Sequence, residues 1–406
     1  MEFDILSLDE KTTTIKAEAN RISSRKNQKI QRHGVRRFEN GRIFQTSRLG
    51  TANKDRLISD TKEWGGEGIN HEFGFAPAHK EHRNSTGFNE NVLLEYEQGL
   101  SYLSTQFPEY NFSGQCAVSA VKTSLQSSYG LDLSSSGTVC EWYYLYQKRG
   151  SGNMLDGYFG ETTATPKVTE AIKEHTEFLQ RQGQLVNLKS GKMPVLLVEG
   201  MAPLKKLIEA FHINKYLDGA SLYSGKMGQK LFDEKVSIFD CGYDQSSGHI
   251  LFFDGEGSLR ELELNLVENG NFVANICDLR FAKKYGSKTT SNGVRAYNRG
   301  VSLGFNSLRV KKQKKSWRSI IKELDRCLVA LVAVGGDSND LGEYSTPIQI
   351  GYVFEKGEIV GQAPQVTIKT SINDYLSKGL IDVSSDGFTR DATSACIISE
   401  MDVLVN

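Results

Sequence analysis

The residues able to do chemistry in this chain are few and mostly isolated. A helical zinc site of the HExxH type needs two imidazoles one turn apart, with a glutamate beside the first to activate water. No such pattern occurs. The nearest approach is Ala171-Ile172-Lys173-Glu174-His175, which ends like the inverted HxxEH pattern but has alanine at the first ligand position. Glu174 and His175 therefore read as a solvated helix face. His71, His79 and His82 cluster in the sequence, and His79 and His82 are spaced like a pair of ligands. Their segment holds no cysteine and reads as loop, which preorganises a metal site poorly. They read as exposed loop side chains.

A thiol–imidazole pair is the other candidate. Gly114-Gln115-Cys116-Ala117 is followed far downstream by Gly248-His249-Ile250-Leu251. In that order a histidine brought near in space converts the thiol to a thiolate nucleophile. The plainer reading makes Cys116–Val121 an apolar strand and lets His249 open another. Neither GxxxxGK[ST] nor a strand-linked GxGxxG occurs, so phosphate-loop nucleotide chemistry is excluded.

Basic and acidic residues balance at 49 each in 406 residues. Nucleic-acid binders carry a basic footprint, so the balance argues against nucleic acid as the main partner. A local exception, Arg309, Lys311, Lys312, Lys314, Lys315 and Arg318, reads as a solvated loop. The six cysteines form no CxxC pair and fit buried free thiols of a reducing compartment. Met1–Ile5 lacks the basic start and apolar stretch of a signal peptide. The apolar run Cys327–Val334 is too short to span a bilayer. A cytoplasmic protein with no membrane segment is the expectation.

The length allows two or three units, each of about 100–200 residues. Thr12–Arg25 carries polar spacing compatible with a helix. Asn40-Gly41 supplies the positive φ angles of a type I′ hairpin turn. Residues 60–90, rich in Gly, His and Asn, read as a long loop. Val92–Gln106 reads as a helix, 115–147 as a hairpin around Tyr129-Gly130, and Thr165–Gly183 as a helix opened by Pro166. Pro194–Val198 is an expected strand and Ala202–Phe211 an expected helix. On that helix Leu204, Leu207, Ile208 and Phe211 share one face, opposite Lys205, Lys206, Glu209 and His212. Turns at Asp254-Gly255, Asn269-Gly270 and Lys356-Gly357 punctuate a run of strands. The fold class is α+β. A mixed N-terminal region of antiparallel hairpins and helices spans 1–188, divisible at about 1–75 and 90–188. A β-rich C-terminal domain follows over 189–406.

Beyond residue 195 several segments stand in a telling order. They are Leu222-Tyr223-Ser224-Gly225-Lys226-Met227-Gly228-Gln229-Lys230, Phe253-Asp254-Gly255-Glu256-Gly257, Leu266-Val267-Glu268-Asn269-Gly270, Gly335-Gly336 through Gly342-Glu343-Tyr344-Ser345, and Phe354-Glu355-Lys356-Gly357-Glu358-Ile359. The series resembles the TldD/PmbA family: its small-residue segment after the motif helix, its FDxEG turn and hairpin, its GxxxxxTGxYS segment and its late hairpin. At the front, Gly34-Val35-Arg36-Arg37-Phe38-Glu39-Asn40-Gly41-Arg42 resembles the family's glycine–arginine element. The chain departs at Ile368-Lys369-Thr370-Ser371-Ile372, where the family reads IxGN.

This resemblance implies a pairing of a zinc-bearing subunit, TldD, with a non-metal subunit, TldE or PmbA. The pair is a cytoplasmic peptidase that trims or degrades unfolded and modified peptides. The zinc-bearing subunit carries HExxxH on a helix. The matching residues here are Ile208, Glu209, Ala210, Phe211, His212 and Ile213. Isoleucine stands at both ligand positions, the glutamate is kept, and His212 is one position out of register. Isoleucine has no lone pair for zinc, and a glutamate without a metal has no bound water to activate. The family's cysteine ligand also has no counterpart, because Cys396 falls in the last strand. The resemblance thus implies a TldE-like chain with no cofactor of its own, a TldD-like partner holding zinc, and a peptide substrate. A homodimer is a further arrangement it leaves open. Gly335, Gly336, Gly342 and Tyr344 are candidates for peptide contact, since glycine permits close backbone approach. Plain turn chemistry explains those glycines equally well. Two other readings stay open: a papain-like cysteine hydrolase using Cys116 and His249, and a non-enzymatic binding protein, in line with the family's description as a modulator of DNA gyrase.

Overall fold

Thr12, Thr13, Thr14 and Ile15 are β-branched, so they lose side-chain freedom in a helix and fit a pleated surface. They lie in a strand, β1 (Glu2–Glu18), which pairs along its whole length with β2 (Arg21–Glu39). The turn between them is Ala19-Asn20, with φ of 46° and 69°. The helix expected over Thr12–Arg25 is therefore a hairpin. The structure, a computed structural model, describes residues 2–85, 91–153, 155–198, 203–244, 248–389 and 392–406.

Asn40 and Gly41, at φ 52° and 68°, turn β2 into β3 (Arg42–Leu49) as expected. The expected loop over 60–90 is more ordered than its composition suggested, and its residues 86–90 lie outside the described residues. Helix α1 (Lys54–Trp64) is capped by the Asn53 side chain, which accepts from the Arg56 N–H. Strands β4 (Ile69–Asn70) and β5 (His79–Asn84) follow. Helix α2 (Val92–Gln106) has the expected bounds. A long hairpin, β6 (Tyr110–Ser127) and β7 (Leu131–Lys148), is followed by β8 (Gly157–Thr163) and α3 (Val168–Arg181). Together the strands make an eight-stranded sheet ordered β4-β3-β2-β1-β6-β7, with β5 and β8 both on the outer edge of β7. Helices α2 and α3 cover one end of this sheet. There Phe112, Cys116, Trp142 and Tyr144 pack beneath Tyr96, Leu100 and Ile172. The other end is covered by the second half of the chain, where Leu6, Leu125, Leu131 and Leu133 meet Phe252 and Phe253.

The second half runs β9 (Gly191–Leu197), α4 (Lys205–Ala210), α5 (Ile213–Leu217), β10 (Ile238–Cys241), β11 (Glu263–Glu268), β12 (Asn271–Phe272) and α6 (Leu279–Tyr285). It continues through β13 (Gly293–Val294), β14 (Ser302–Leu303), β15 (Leu308–Val310), α7 (Trp317–Lys322), β16 (Cys327–Ala333), β17 (Asp337–Ser338) and β18 (Glu343–Glu355). Strands β19 (Glu358–Gln362) and β20 (Val366–Ser371), a π-helix (Asp374–Lys378), β21 (Leu380–Val383) and β22 (Ile397–Val405) complete it. The path β16-β9-β22-β20-β18 closes on itself, because β18 pairs with both β20 and β16. Closure removes the sheet edges that would otherwise invite pairing with another chain. Val195, Leu197, Leu328, Val366 and Met401 form its core with Leu207, Phe211 and Phe272. A four-stranded sheet, β12-β11-β10-β15, packs on the same core.

The turns at Asn269-Gly270 and Lys356-Gly357 form as expected, joining β11 to β12 and β18 to β19. The turn at Asp254-Gly255 also forms: Gly257 N–H donates to the Asp254 carbonyl at 3.2 Å, and Phe253 bridges antiparallel to Leu259. The Asp254 carboxylate accepts the N–H groups of Glu256 and Ser258, each at 2.9 Å, and holds this buried turn in place.

Candidate functional site

The degenerate motif lies on two helices rather than one. Helix α4 ends at Ala210, and Ile213 opens α5. Between them His212 is extended, with φ −70° and ψ 125°. The break is held by a neighbouring segment: Ile276 N–H donates to the Phe211 carbonyl at 2.8 Å, and Ile213 N–H donates to the Ile276 carbonyl at 3.2 Å. Leu204, Leu207 and Phe211 are buried as expected, while Ile208 is half-buried at the edge of their stripe. Glu209 is exposed. Ala202 and the side chains of Lys205 and Lys206 lie outside the described residues.

His212 was expected on the solvated face, but it is half-buried beside Phe305. Its Nε2 is enclosed with no hydrogen-bond partner, as are Asn214 Oδ1 and Asn275 Oδ1. Burial pushes the imidazole pKa down, so His212 is held neutral. The two ligand positions of the motif carry hydrocarbon, and this donor set does not fit zinc. Among the described residues no three His, Cys, Asp or Glu side chains gather as a metal-ligand group.

Gly335, Gly336 and Gly342 lie at and before the β17–β18 hairpin, with φ of 76°, 94° and 80°. These are angles that glycine adopts freely and other residues resist. A Cβ on Gly336 would stand 2.8 Å from Thr346 and 2.9 Å from the Tyr344 hydroxyl. Tyr344 itself is buried beneath the hairpin. Turn geometry and close packing thus account for these glycines, while Val334 and Leu341 project outward beside them.

The structure does not bring Cys116 and His249 together. Cys116 pairs in the ladder with Trp142, whereas His249 Nε2 lies 3.3 Å from the Ser135 carbonyl. Trp142 and Ser135 are far apart on β7, separated by roughly 23 Å at about 3.3 Å per residue. The Cys116 thiol is fully buried, 3.8 Å from Cys140 Sγ. That contact and burial push the Cys140 thiol up, away from thiolate. A cysteine-hydrolase pair is therefore absent at these positions.

The histidine cluster is likewise dispersed. His79 and His82 belong to β5, three residues apart, so their side chains leave opposite faces of the strand. His79 contacts Glu81 at 2.9 Å and His82 contacts Ser134 at 2.6 Å. His71 packs among Phe38, Phe73 and Phe75. Glu174 is exposed, but His175 is buried rather than solvated. The basic cluster is engaged with acids: Arg309 with Asp244, Lys311 with Glu263, Lys315 with Glu323 and Arg318 with Glu177.

What the sequence left unseen is an ionic lattice where the first sheet meets the second half. Asp4 is fully buried. It accepts from Arg36 Nε and Nη2 at 3.0 and 2.5 Å, from Arg295 Nη1 at 2.7 Å and from the Tyr129 hydroxyl at 2.9 Å. Arg295 also donates to the Gly34 carbonyl at 2.9 Å. A Cβ on Gly34 would lie 2.2 Å from the Tyr297 carbonyl oxygen, so glycine permits this crossing of two backbones. Beside the triad, Asp254 accepts from the Gly293 N–H and Glu256 accepts from the Leu279 N–H, each at 2.9 Å.

Burial, reinforced by the Asp254 charge, pushes the Glu256 carboxyl up to about 8 from 4.5. The folded chain holds a proton there that the unfolded chain has released. Stability from this proton is complete below about pH 4.5 and is lost as pH rises through about 8. Glu256→Gln mimics the protonated form. It is expected to raise the thermal midpoint at pH 8 by roughly 2–4 °C and to leave it nearly unchanged at pH 5. An equal shift at both pH values would refute a pH-dependent contribution from Glu256.

Residues 190–404, just over half of the chain, match the PmbA/TldA metallopeptidase C-terminal domain. The chain belongs to this family. A metalloprotease of Archaeoglobus fulgidus is 24% identical over 219 residues, covering 52% of this chain and 49% of that protein. An uncharacterized protein of Methanocaldococcus jannaschii is 25% identical over 156 residues, covering 38% of this chain and 36% of its own length. The chain therefore matches half or less of each of these curated relatives.

As a fold, the chain superposes on TldE from Thermococcus kodakarensis with a TM-score of 0.87 at 20% identity, covering 100% of this chain and 97% of that one. The proposed modulator of a DNA gyrase from Thermotoga maritima gives 0.82 at 20% identity over 99% and 96%. In this PmbA/TldA chain the FDxEG-like turn has a physical role. Its first acid, Asp254, folds the loop, and its second, Glu256, faces the lattice. Two acids spaced by one residue within an apolar run were the signal available in the sequence. Among the described residues no helix is long and apolar enough to cross a membrane.

Proposed function

We propose that this chain is the non-zinc, TldE-type subunit of a cytoplasmic two-chain peptidase, whose TldD-type partner holds the zinc. One observation carries the reading. The residues at the metal-ligand positions are Ile208 and Ile213, and the chain between them leaves helical geometry at His212. Two hydrocarbon side chains on separate helices give a metal nothing to bind. The near full-length likeness in fold to a TldE supports the assignment. The role of this chain is then to complete a peptide-binding chamber. Strand β17 pairs only with β18 among the described strands, so its outer edge offers backbone groups to an extended peptide. Gly335, beside which a Cβ would meet nothing within 4 Å, leaves that approach free of a side chain, and Val334 and Leu341 supply apolar contact.

Zinc content measured by elemental mass spectrometry tests this. The isolated chain is expected to carry less than about a tenth of an equivalent. The complex co-purified with an HExxxH-bearing relative from the same genome is expected to carry about one. Stoichiometric zinc in the isolated chain would overturn the assignment.

A further inference from the structure

Strand β2 is paired on both sides over only part of its length. Strand β3 covers Arg32–Glu39. Next to it the Gly50 N–H donates to the Gln31 carbonyl at 2.9 Å, and the chain leaves toward α1. From Arg21 to Ile30 the outer side of β2 meets no strand among the described residues. Alternate residues of an antiparallel strand point their backbone N–H and C=O groups to the same side. The Gln31 carbonyl points outward, so the backbone groups of Lys29, Asn27 and Arg25 do as well.

Such an edge is commonly blunted by a bulge or a proline. This one has neither. Its register with β1 runs unbroken from Ser24 to Phe38, and no proline occurs in β2. Residues 23–29 are exposed.

The charge of the edge is one-sided. From Arg21 to Gln31 there is no acid, while Arg21, Arg25, Lys26 and Lys29 are basic. Arg25 is ion-paired with Glu97, and Arg21 stands opposite Glu18 of β1. Lys26 and Lys29 have no such partner among the described residues. Lys26 stands opposite Thr14, and Lys29 stands opposite another lysine, Lys11. Like charges directly opposite destabilise a sheet. Asp9, diagonal to Lys29, already accepts from the Gln31 amide at 2.7 Å. Side chains alternate across a strand, so Lys26 and Lys29 serve opposite faces of the sheet. An added strand meets a lysine whichever face its acids occupy.

We propose that the outer edge of β2 over Arg25–Lys29 docks an extended acidic peptide. The peptide adds a strand to the first sheet by backbone pairing and sets its carboxylates against Lys26 and Lys29. Lysines on an edge repel like-charged strands and leave it open to oppositely charged ones. A second copy of β2 would therefore set the same lysines against each other. A nucleic acid would leave the outward carbonyls unused, and Arg21–Gln31 holds no aromatic ring for a base to stack on. This edge is distinct from that of β17, and its occupancy does not depend on a zinc-bearing partner.

Fluorescence anisotropy of labelled peptides against the purified full-length chain at pH 7 tests the assignment. The probes are a short peptide alternating glutamate and threonine, the same peptide with lysine for glutamate, and the same peptide with proline for threonine. The proline form keeps the charge and lacks every second N–H donor. The glutamate–threonine peptide is expected to bind about tenfold more tightly than either of the others. Lys26→Glu combined with Lys29→Glu, both at exposed positions, is expected to reverse the preference toward the lysine peptide. Asn27→Pro keeps both lysines, removes one outward donor and is expected to weaken the glutamate–threonine peptide several-fold. Equal binding of the proline form, glutamate-peptide binding that survives the double charge reversal, or no saturable binding would overturn the proposal. Self-association of the chain that Asn27→Pro abolishes would assign the edge to a second copy instead. A single-stranded oligonucleotide binding more tightly than the acidic peptide, and lost on the double charge reversal, would equally overturn it.

Discussion

The Asp4→Asn variant is expected to lose about 3–5 kcal/mol of unfolding free energy at pH 7, the scale of removing one partner from a buried ionic group. Asp4 stands between two buried guanidiniums, Arg36 and Arg295, whose side chains are 6% and 2% exposed. The amide keeps the shape but removes the negative charge, leaving two buried cations facing each other in a medium where water screens them weakly. The native pair of arginines is tolerated because one carboxylate serves both. A useful contrast is Glu10→Gln, which breaks the partly exposed pair with Arg32. That change is expected to fall within about 1 kcal/mol. Denaturant unfolding of the three proteins reads both effects, and a loss below about 1 kcal/mol in Asp4→Asn would rule out a stabilising role for the triad.

The same variant carries a pH signature. Burial alone would raise the Asp4 carboxyl, but Arg36 and Arg295 outweigh it and hold the group at about 2, against 3.8 unperturbed. A depressed carboxyl contributes stability that is present above its unfolded pKa and is lost as pH falls through its folded one. The window runs from about pH 4 down to about pH 2 and is worth about 2 kcal/mol. Wild-type protein is expected to lose that increment on acidification, and Asp4→Asn is not. Asp4 and Arg295 lie at distant points of the chain, so this acid limb reports on the seam between the first sheet and the second half rather than on either part alone.

Distance along the chain also explains what could be read from the sequence. Asn40-Gly41, Asn269-Gly270 and Lys356-Gly357 declare their turns because the positive φ requirement is local. The helices over Val92–Gln106 and Val168–Arg181 follow from apolar periodicity. The first part of strand β2 was missed because residues 23–29 are exposed, and with neither side buried no period-two alternation marks a strand. β5 was missed for a similar reason: six polar residues become a strand only through pairing with β7. At the segment that the resemblance matches to the zinc motif, isoleucine at 208 and 213 could be read directly from the sequence. The helix break at His212 was not legible, since it depends on hydrogen bonds from Ile276. The Asp4 triad draws residues from distant parts of the chain, and nothing in either neighbourhood alone announces it.

Glu209 is the remaining residue whose type suits peptide hydrolysis, and a variant of it separates inherited form from working chemistry. In a zinc peptidase the corresponding glutamate takes a proton from metal-bound water, and removing a general base of that kind costs about 10²–10⁴ in rate. In this chain Glu209 is exposed at the end of a six-residue helix, next to two isoleucines and a histidine held neutral by burial. With no metal ligand beside it, it has no activated water to serve. On the proposed two-chain reading, Glu209→Gln in this chain is therefore expected to change the peptidase rate of the reconstituted pair by less than about twofold, whereas the matching change in the proposed zinc-bearing partner is expected to lower it by the 10²–10⁴ above. Steady-state hydrolysis of an unstructured peptide by the reconstituted complex measures both. A loss of a hundredfold or more from Glu209→Gln, with zinc content and complex assembly unchanged, would place this chain's own helix at the reacting bond and remove the distinction between a catalytic subunit and a chamber-forming one.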